Sequence, residues 1–143
     1  MKNWFVKLVT AVALLAVAAV FAIPAAAQTR SLKANIPFAF STGSSVLPAG
    51  DYHVDVDLLY NRITLRSKDG RTAAFLVPTV RSQAEAFLDQ GALVFARYGN
   101  DYFLRKLSMS GPAWAFEWGP SKAEKQVTGK TPVHVAMVRI ALL

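Results

Sequence analysis

Asp51-Tyr52-His53-Val54-Asp55-Val56-Asp57 alternates polar and apolar residues without a break. Successive side chains on a strand point to opposite faces, so Tyr52, Val54 and Val56 belong to one face and the four polar residues to the other. A helix, with its 3.6-residue period, would scatter both sets around its surface. The segment therefore predicts a strand half-buried in a sheet. Leu47-Pro48-Ala49-Gly50 precedes it, with proline preset for the second position of a type I turn and glycine at the fourth. After a short turn at Leu59 to Asn61, Arg62 to Arg66 alternates again. Ile63 and Leu65 join the same core, and Arg62 and Arg66 share a face with the acidic row.

The pattern extends in both directions. Leu32 to Ile36 alternates, and Phe38 and Phe40 keep its parity beyond Pro37. Proline cannot donate to a ladder, so this first strand belongs at an edge or carries a bulge there. Ser41 to Ser45 reads as a polar loop. Asp69-Gly70 is a hairpin signal because both residues tolerate positive φ, and Thr72 to Val77 reads as the returning strand. A strict two-residue loop would set Lys68 against Arg71, which favours a longer, bulged turn. Arg81 to Gln90 breaks the strand rhythm, and Ser82 with Glu85 has capping-box spacing, so one or two helical turns or a loop are expected. Ala92 to Tyr98 and Asp101 to Met109 flank Gly99-Asn100, a second tight-hairpin signal. A two-residue loop pairs Arg97 with Tyr102 and Phe95 with Leu104. Both faces of this hairpin are largely apolar, which predicts a central place. Gly111-Pro112 ends it. Trp114, Phe116 and Trp118 then form one aromatic strand face. Pro120-Ser121 opens a short helix, with Ser121 and Glu124 in capping-box spacing and Gly129 as its stop. Val133 to Leu142 reads as a last strand.

The class expected is all-β: a small antiparallel β-barrel or β-sandwich of about seven to eight strands with one or two short helices. No run of alternating helices is present to cross over between parallel strands.

The N-terminus has a different character. Lys2 and Lys7 form a positive start, Leu8 to Ile23 is an uncharged, almost wholly apolar run of sixteen residues, and Pro24 leads into Ala25-Ala26-Ala27. These are the parts of a secretory signal peptide, with small residues one and three positions before a cut ahead of Gln28. The run falls short of the roughly 20 residues that span a bilayer. Residues 1–27 are thus expected to be a leader and 28–143 one domain, exported to the periplasm or beyond, with no membrane span after cleavage. Neither a lipid-accepting cysteine nor a twin-arginine pair is present, so the route is the general one.

The 143 residues carry 16 Lys and Arg against 9 Asp and Glu, a net charge of +7. Removal of Lys2 and Lys7 leaves 14 against 9, or +5. The basic residues are scattered without a block, so nucleic acid is not an expected partner, and a weak attraction to anionic envelope polymers is the better reading. With no cysteine, the fold rests on its core alone in an oxidising compartment.

Two constellations are chemical enough to weigh. Asp51, His53 and Asp55 project from alternate positions of one strand, where two carboxylates and an imidazole could approach one divalent cation. Flat rows seldom converge on an ion, so the reading preferred is a solvated face paired with Arg62 and Arg66. Trp114, Phe116 and Trp118 either fill the core or offer a stacking surface to a sugar or a partner. His134 lies in an apolar run without polar neighbours and reads as structural. Hydrolytic chemistry lacks a cysteine, a nucleophile elbow and a histidine beside a glycine-flanked serine, and phosphate-cradling glycine loops are absent, so no enzyme and no cofactor are expected.

Asn35-Ile36-Pro37-Phe38, Leu47-Pro48-Ala49-Gly50-x-Tyr52, Ser67-Lys68-Asp69-Gly70, Arg97-Tyr98-Gly99-Asn100-x-Tyr102-Phe103-Leu104 and Ser121-Lys122-Ala123-Glu124-Lys125 together resemble a family of small uncharacterised exported bacterial proteins. The resemblance covers Leu32 to Val127, and Thr131 to Leu143 looks like an extension beyond it. It implies a leader followed by a mainly β domain and carries no assigned site residue. The function expected is that of a non-enzymatic β module with a structural or binding role at the cell envelope, its partner an envelope polymer, a protein or an apolar ligand. The alternative is a small barrel enclosing an apolar molecule.

Overall fold

The computed structural model describes residues 3–4, 29–83, 90–111, 114–129 and 135–143. Nearly all of the expected leader, 1–27, lies outside the described residues. The strands are β1 (Thr29–Ile36), β2 (Phe40–Ser41), β3 (Val46–Leu47), β4 (Gly50–Asp57), β5 (Arg62–Ser67), β6 (Ala73–Leu76), β7 (Val80–Gln83), β8 (Ala92–Tyr98), β9 (Asp101–Ser108), β10 (Trp114–Glu117) and β11 (Ala136–Ala141). A helix, α1 (Lys122–Thr128), separates the last two. Among the described residues no helix is long and apolar enough to cross a membrane.

The first sheet has the order β1-β4-β5-β6 and is antiparallel throughout. The second follows β11-β8-β9-β10-β7, with β2 joined to β9 by a single parallel bridge from Ser41 to Phe103 and β3 paired to β2. Period-two burial decides how they meet. Tyr52, Val54 and Val56 of β4 and Ile63 and Leu65 of β5 are buried, and they share one cluster with Leu93, Phe95, Leu104, Leu107 and Phe116 of the second sheet. Phe40 joins the two sides: its ring meets Tyr52 at 5.5 Å and Phe95 at 5.2 Å, both edge-on. Edge-to-face pairs at such spacing add to the burial of their large apolar area.

The architecture is a β-sandwich, and the barrel half of the expectation is set aside because the two sheets do not close into one ladder. One flank is nevertheless stitched. Lys33 N donates to Leu143 O at 3.0 Å, Leu143 N donates to Lys33 O at 2.8 Å, and Leu142 is buried in the core between them. On the other flank β6 and β7 stay on separate sheets and are linked by Val77-Pro78-Thr79.

Several local expectations hold in detail. Leu32, Ala34, Ile36, Phe38 and Phe40 all pack into the core, and Pro37 follows the end of β1, which lies at the edge of its sheet. The Asp69-Gly70 turn is the longer form. Ser67 and Thr72 close it through Ser67 N to Thr72 O at 2.8 Å, so Lys68 and Arg71 lie within the loop rather than opposite each other. Asp69 accepts from the Ser67 hydroxyl and from Arg71 N–H, which holds its carboxyl below the usual carboxylate range, the serine bond contributing most.

Two expectations need correction. Ser82 does not cap a helix: it lies within β7, opposite Ala115 of β10. A four-residue ladder with β10 outweighs a local capping pattern, because each rung satisfies main-chain groups that a one-turn helix leaves unpaired. Glu85 and the remainder of that segment, 84–89, lie outside the described residues. The last strand is β11, shorter than Val133 to Leu142, and His134 is likewise outside them.

The β8–β9 hairpin sits between β11 and β10. Its two-residue loop gives the expected pairs Tyr98 with Asp101, Arg97 with Tyr102 and Phe95 with Leu104. The next rung is Val94 with Lys106, so Arg105 is an extra residue in β9, a β-bulge. The bulge restores the core face: Leu104 and Leu107, three apart, both enter the inter-sheet cluster. Arg105 keeps the parity of Phe103 and lies on the opposite face of the sheet, where Ala96, Tyr98 and Phe103 form a second cluster under α1.

Gly99 adopts φ 64°, and a Cβ at this position would find nothing within 4 Å, so a substitution there meets backbone strain alone. Gly99→Val is expected to lose about 1–3 kcal/mol, and Phe95→Ala, which empties a fully buried site, about 2–5 kcal/mol. Urea melts of both variants check this. Losses below about 0.5 kcal/mol at both positions would remove the hairpin from its central role.

Candidate functional site

Helix α1 has seven residues, too few to hold its shape alone. Ser121 caps it, its Oγ accepting from Glu124 N at 3.1 Å. In a full capping box the Glu124 side chain would reach back to the Ser121 N–H. Here it turns into the protein instead. Its residue is 1% exposed, and Oε1 accepts from both Tyr98 OH at 2.9 Å and Arg105 Nη1 at 2.8 Å. Val127, one turn on and on the same face, packs against the Ala96, Tyr98 and Phe103 cluster. A carboxylate withdrawn from water is costly unless paired and hydrogen-bonded, and Arg105 and Tyr98 supply both requirements. Burial pushes the Tyr98 phenol above its usual value, and the bond it donates to Glu124 adds to that shift.

This anchoring forms one wall of an open groove of about 430 Å³. The helix contributes Ala123, Gln126 and Val127, the hairpin tip Asn100 to Phe103, and β2–β3 the exposed Val46. The lining is mixed: apolar walls, the Gln126 and Asn100 amides and the Asp101 carboxylate. A second recess of about 280 Å³ lies at the first turn of α1, between Thr42, Thr79, Trp118 and Lys122. The Trp118 indole N–H is buried and has no hydrogen-bond partner among the described residues.

Of the three aromatic residues singled out in the sequence, Trp114 and Phe116 lie on β10 and Trp118 follows its end, and all three pack toward the inter-sheet core. Phe116 is fully buried, and Trp114 and Trp118 are half-buried against the same inter-sheet cluster. The Arg81 guanidinium stands 4.0 Å from the Trp114 ring centroid, a cation–π contact that covers part of the indole.

The acidic row lies on the outer face of the first sheet, and its members have different partners. Asp51 accepts from the Asn35 amide at 2.7 Å, and Asp55 pairs with Arg66 at 3.4 Å. Asp57 caps the turn after β4, accepting from the N–H groups of Leu59 and Tyr60 at 3.0 Å each. His53 stands between Lys33 and Arg66 in the ladder. Among the described residues no three of His, Asp and Glu converge on a common cation position.

The sequence blocks that carry the family resemblance meet as scaffold contacts. Tyr52 OH donates to Pro48 O at 2.6 Å, four residues back, and Lys68 N donates to Asp51 O at 2.9 Å. Phe38 stacks on Tyr102 with ring centroids 3.8 Å apart. Tyr98 and Glu124 join the hairpin to the helix. The Tyr98, Arg105 and Glu124 group was not expected from sequence. The one legible irregularity nearby was Leu104-x-x-Leu107, a three-residue apolar spacing that a regular strand cannot place on one face and that marks the bulge.

Glu124→Ala is expected to cost about 2–4 kcal/mol, because it leaves the Arg105 cation and the Tyr98 hydroxyl without their shared acceptor. Tyr98→Phe should cost about 1 kcal/mol. A phenol whose pKa is raised by folding contributes stability that is complete below its unfolded value of 10.0 and is lost as pH rises through the folded one. Urea midpoints should therefore fall above pH 10 more steeply in the parent than in Tyr98→Phe. Equal slopes would contradict the buried Tyr98–Glu124 bond.

Comparison with protein-family models, with curated proteins and with solved structures returns no match for this chain, so the reading of the groove rests on its own geometry.

Proposed function

We propose that this chain is exported through the general secretory route and acts at the cell envelope as a non-enzymatic β-sandwich module that binds a partner along the α1 groove. The observation that carries this reading is the use made of the acidic side chains. Among the described residues Glu124 anchors α1, Glu117 pairs with Lys106, Asp55 pairs with Arg66, Asp51 accepts from Asn35, and Asp57 and Asp69 shape turns, while Asp101 lines the groove itself. Groups committed to the fold are poorly placed to exchange protons with a substrate, whereas a groove with apolar walls and amide edges offers contact area and directional bonds. Export is supported by the Lys2 and Lys7 start, the Leu8 to Ile23 run and Ala25-x-Ala27.

The enclosed-ligand alternative has less support. The space between the sheets is filled by Tyr52, Phe40, Phe95 and Phe116, each under 3% exposed.

Native mass spectrometry of the chain recovered from its own envelope fraction, without refolding, tests the proposal. The chain is expected to begin at or within a few residues of Gln28 and to carry a bound partner that Val46→Asp removes. An intact residue 1–27 segment contradicts cleavage ahead of Gln28. Added mass that survives Val46→Asp contradicts the groove as its seat.

A further inference from the structure

Edge strands present unpaired main-chain groups, and proteins usually protect them with charge, proline, brevity or a covering segment. Most edges here show such a device. β7 carries Arg81, β3 is two residues long, and β1 and β11 are stitched at Lys33 and Leu143. β6 differs. From Thr72 to Val77 it has no charge, proline or bulge, and among the described residues nothing pairs with its outer side.

The ladder shows which groups that side presents. Ser67 N donates to Thr72 O, so residues 72, 74 and 76 direct their main-chain groups toward β5, and 73, 75 and 77 direct theirs outward. The side chains of these outward residues are also exposed, Phe75 at 70% and Val77 at 71%. The neighbouring turn adds Leu59 and Tyr60, both largely exposed and held close to β7 by the bond from Arg81 Nη1 to Leu58 O.

We propose that β6 is a strand-pairing surface for a second copy of this chain, with the two β6 strands antiparallel about a twofold axis through Phe75. That register is self-complementary. Phe75 meets its own copy, and Ala73 and Val77 meet each other twice, giving roughly six main-chain hydrogen bonds with no charge opposed to a like charge. The two four-stranded sheets become one continuous sheet, and the Phe75 rings form a cross-strand aromatic pair. A second copy is favoured over a charged partner because the strand offers apolar side chains and main-chain groups and nothing ionic.

Sedimentation velocity of the chain between about 1 and 100 μM tests this. The parent is expected to shift from monomer to dimer across that range. Phe75→Lys and Phe75→Glu should each remain monomeric, and their equimolar mixture should regain the dimer. In the parent, hydrogen exchange at the Phe75 amide should slow with concentration while buried core amides stay unchanged, a readout that needs no substitution. A parent that stays monomeric, variants that dimerise alone, a mixture that does not, or concentration-independent exchange at Phe75 would each overturn the proposal.

Discussion

The β-bulge at Arg105 is the constraint on which the inter-sheet core of this protein depends. Without it, the period-two rule would carry Lys106 and Ser108 into the space between the sheets and turn Leu107 and Met109 outward. Burying an unpaired ammonium there would cost several kcal/mol, and the core would lose two large apolar side chains. With the extra residue, Leu104, Leu107 and Met109 all reach the inter-sheet core, while Lys106 pairs with Glu117 at 2.9 Å. Arg105 lies on the other face with Phe103, and its main-chain oxygen accepts from Trp118 N at 2.9 Å. Its guanidinium then holds Glu124, and Glu124 holds a helix too short to stand alone.

The same economy governs the flanks of the sandwich. No disulfide is possible in a chain without cysteine. The open side near β1 and β11 is instead joined by the reciprocal Lys33 and Leu143 bonds, with Leu142 filling the core behind them. Gly91 permits that closure: a Cβ there would stand 2.8 Å from Ser108 O and 3.1 Å from the Leu142 side chain. Residues 135–143, within a stretch that looked like an extension in sequence, thus supply a strand, a core residue and the stitch between the two sheets.

Much of the fold was legible in the residues because its strands follow local rules. Tyr52, Val54 and Val56 alternate strictly, Asp69-Gly70 and Gly99-Asn100 mark turns by their tolerance of positive φ, and Ser121 announces a helix. Where tertiary pairing decided, the local signal misled. Ser82 carries a capping pattern, yet β10 claims its segment as a strand. Glu124 has the capping-box position, yet a half-buried arginine and a buried tyrosine draw it inward. The groove could not be read at all, because its three walls come from β2–β3, the β8–β9 tip and α1, which are distant in sequence and meet only through tertiary contacts such as the Ser41–Phe103 bridge and the Tyr98–Glu124 bond.

Cross-strand nuclear Overhauser contacts in the β8–β9 hairpin test this reading most directly. The bulged register predicts contacts between Phe95 and Leu104 and between Val94 and Lys106, with Arg105 outside the ladder. A contact pattern that continues the hairpin without interruption, pairing Val94 with Arg105, would contradict it and would leave the Leu107 and Met109 core sites without a physical basis.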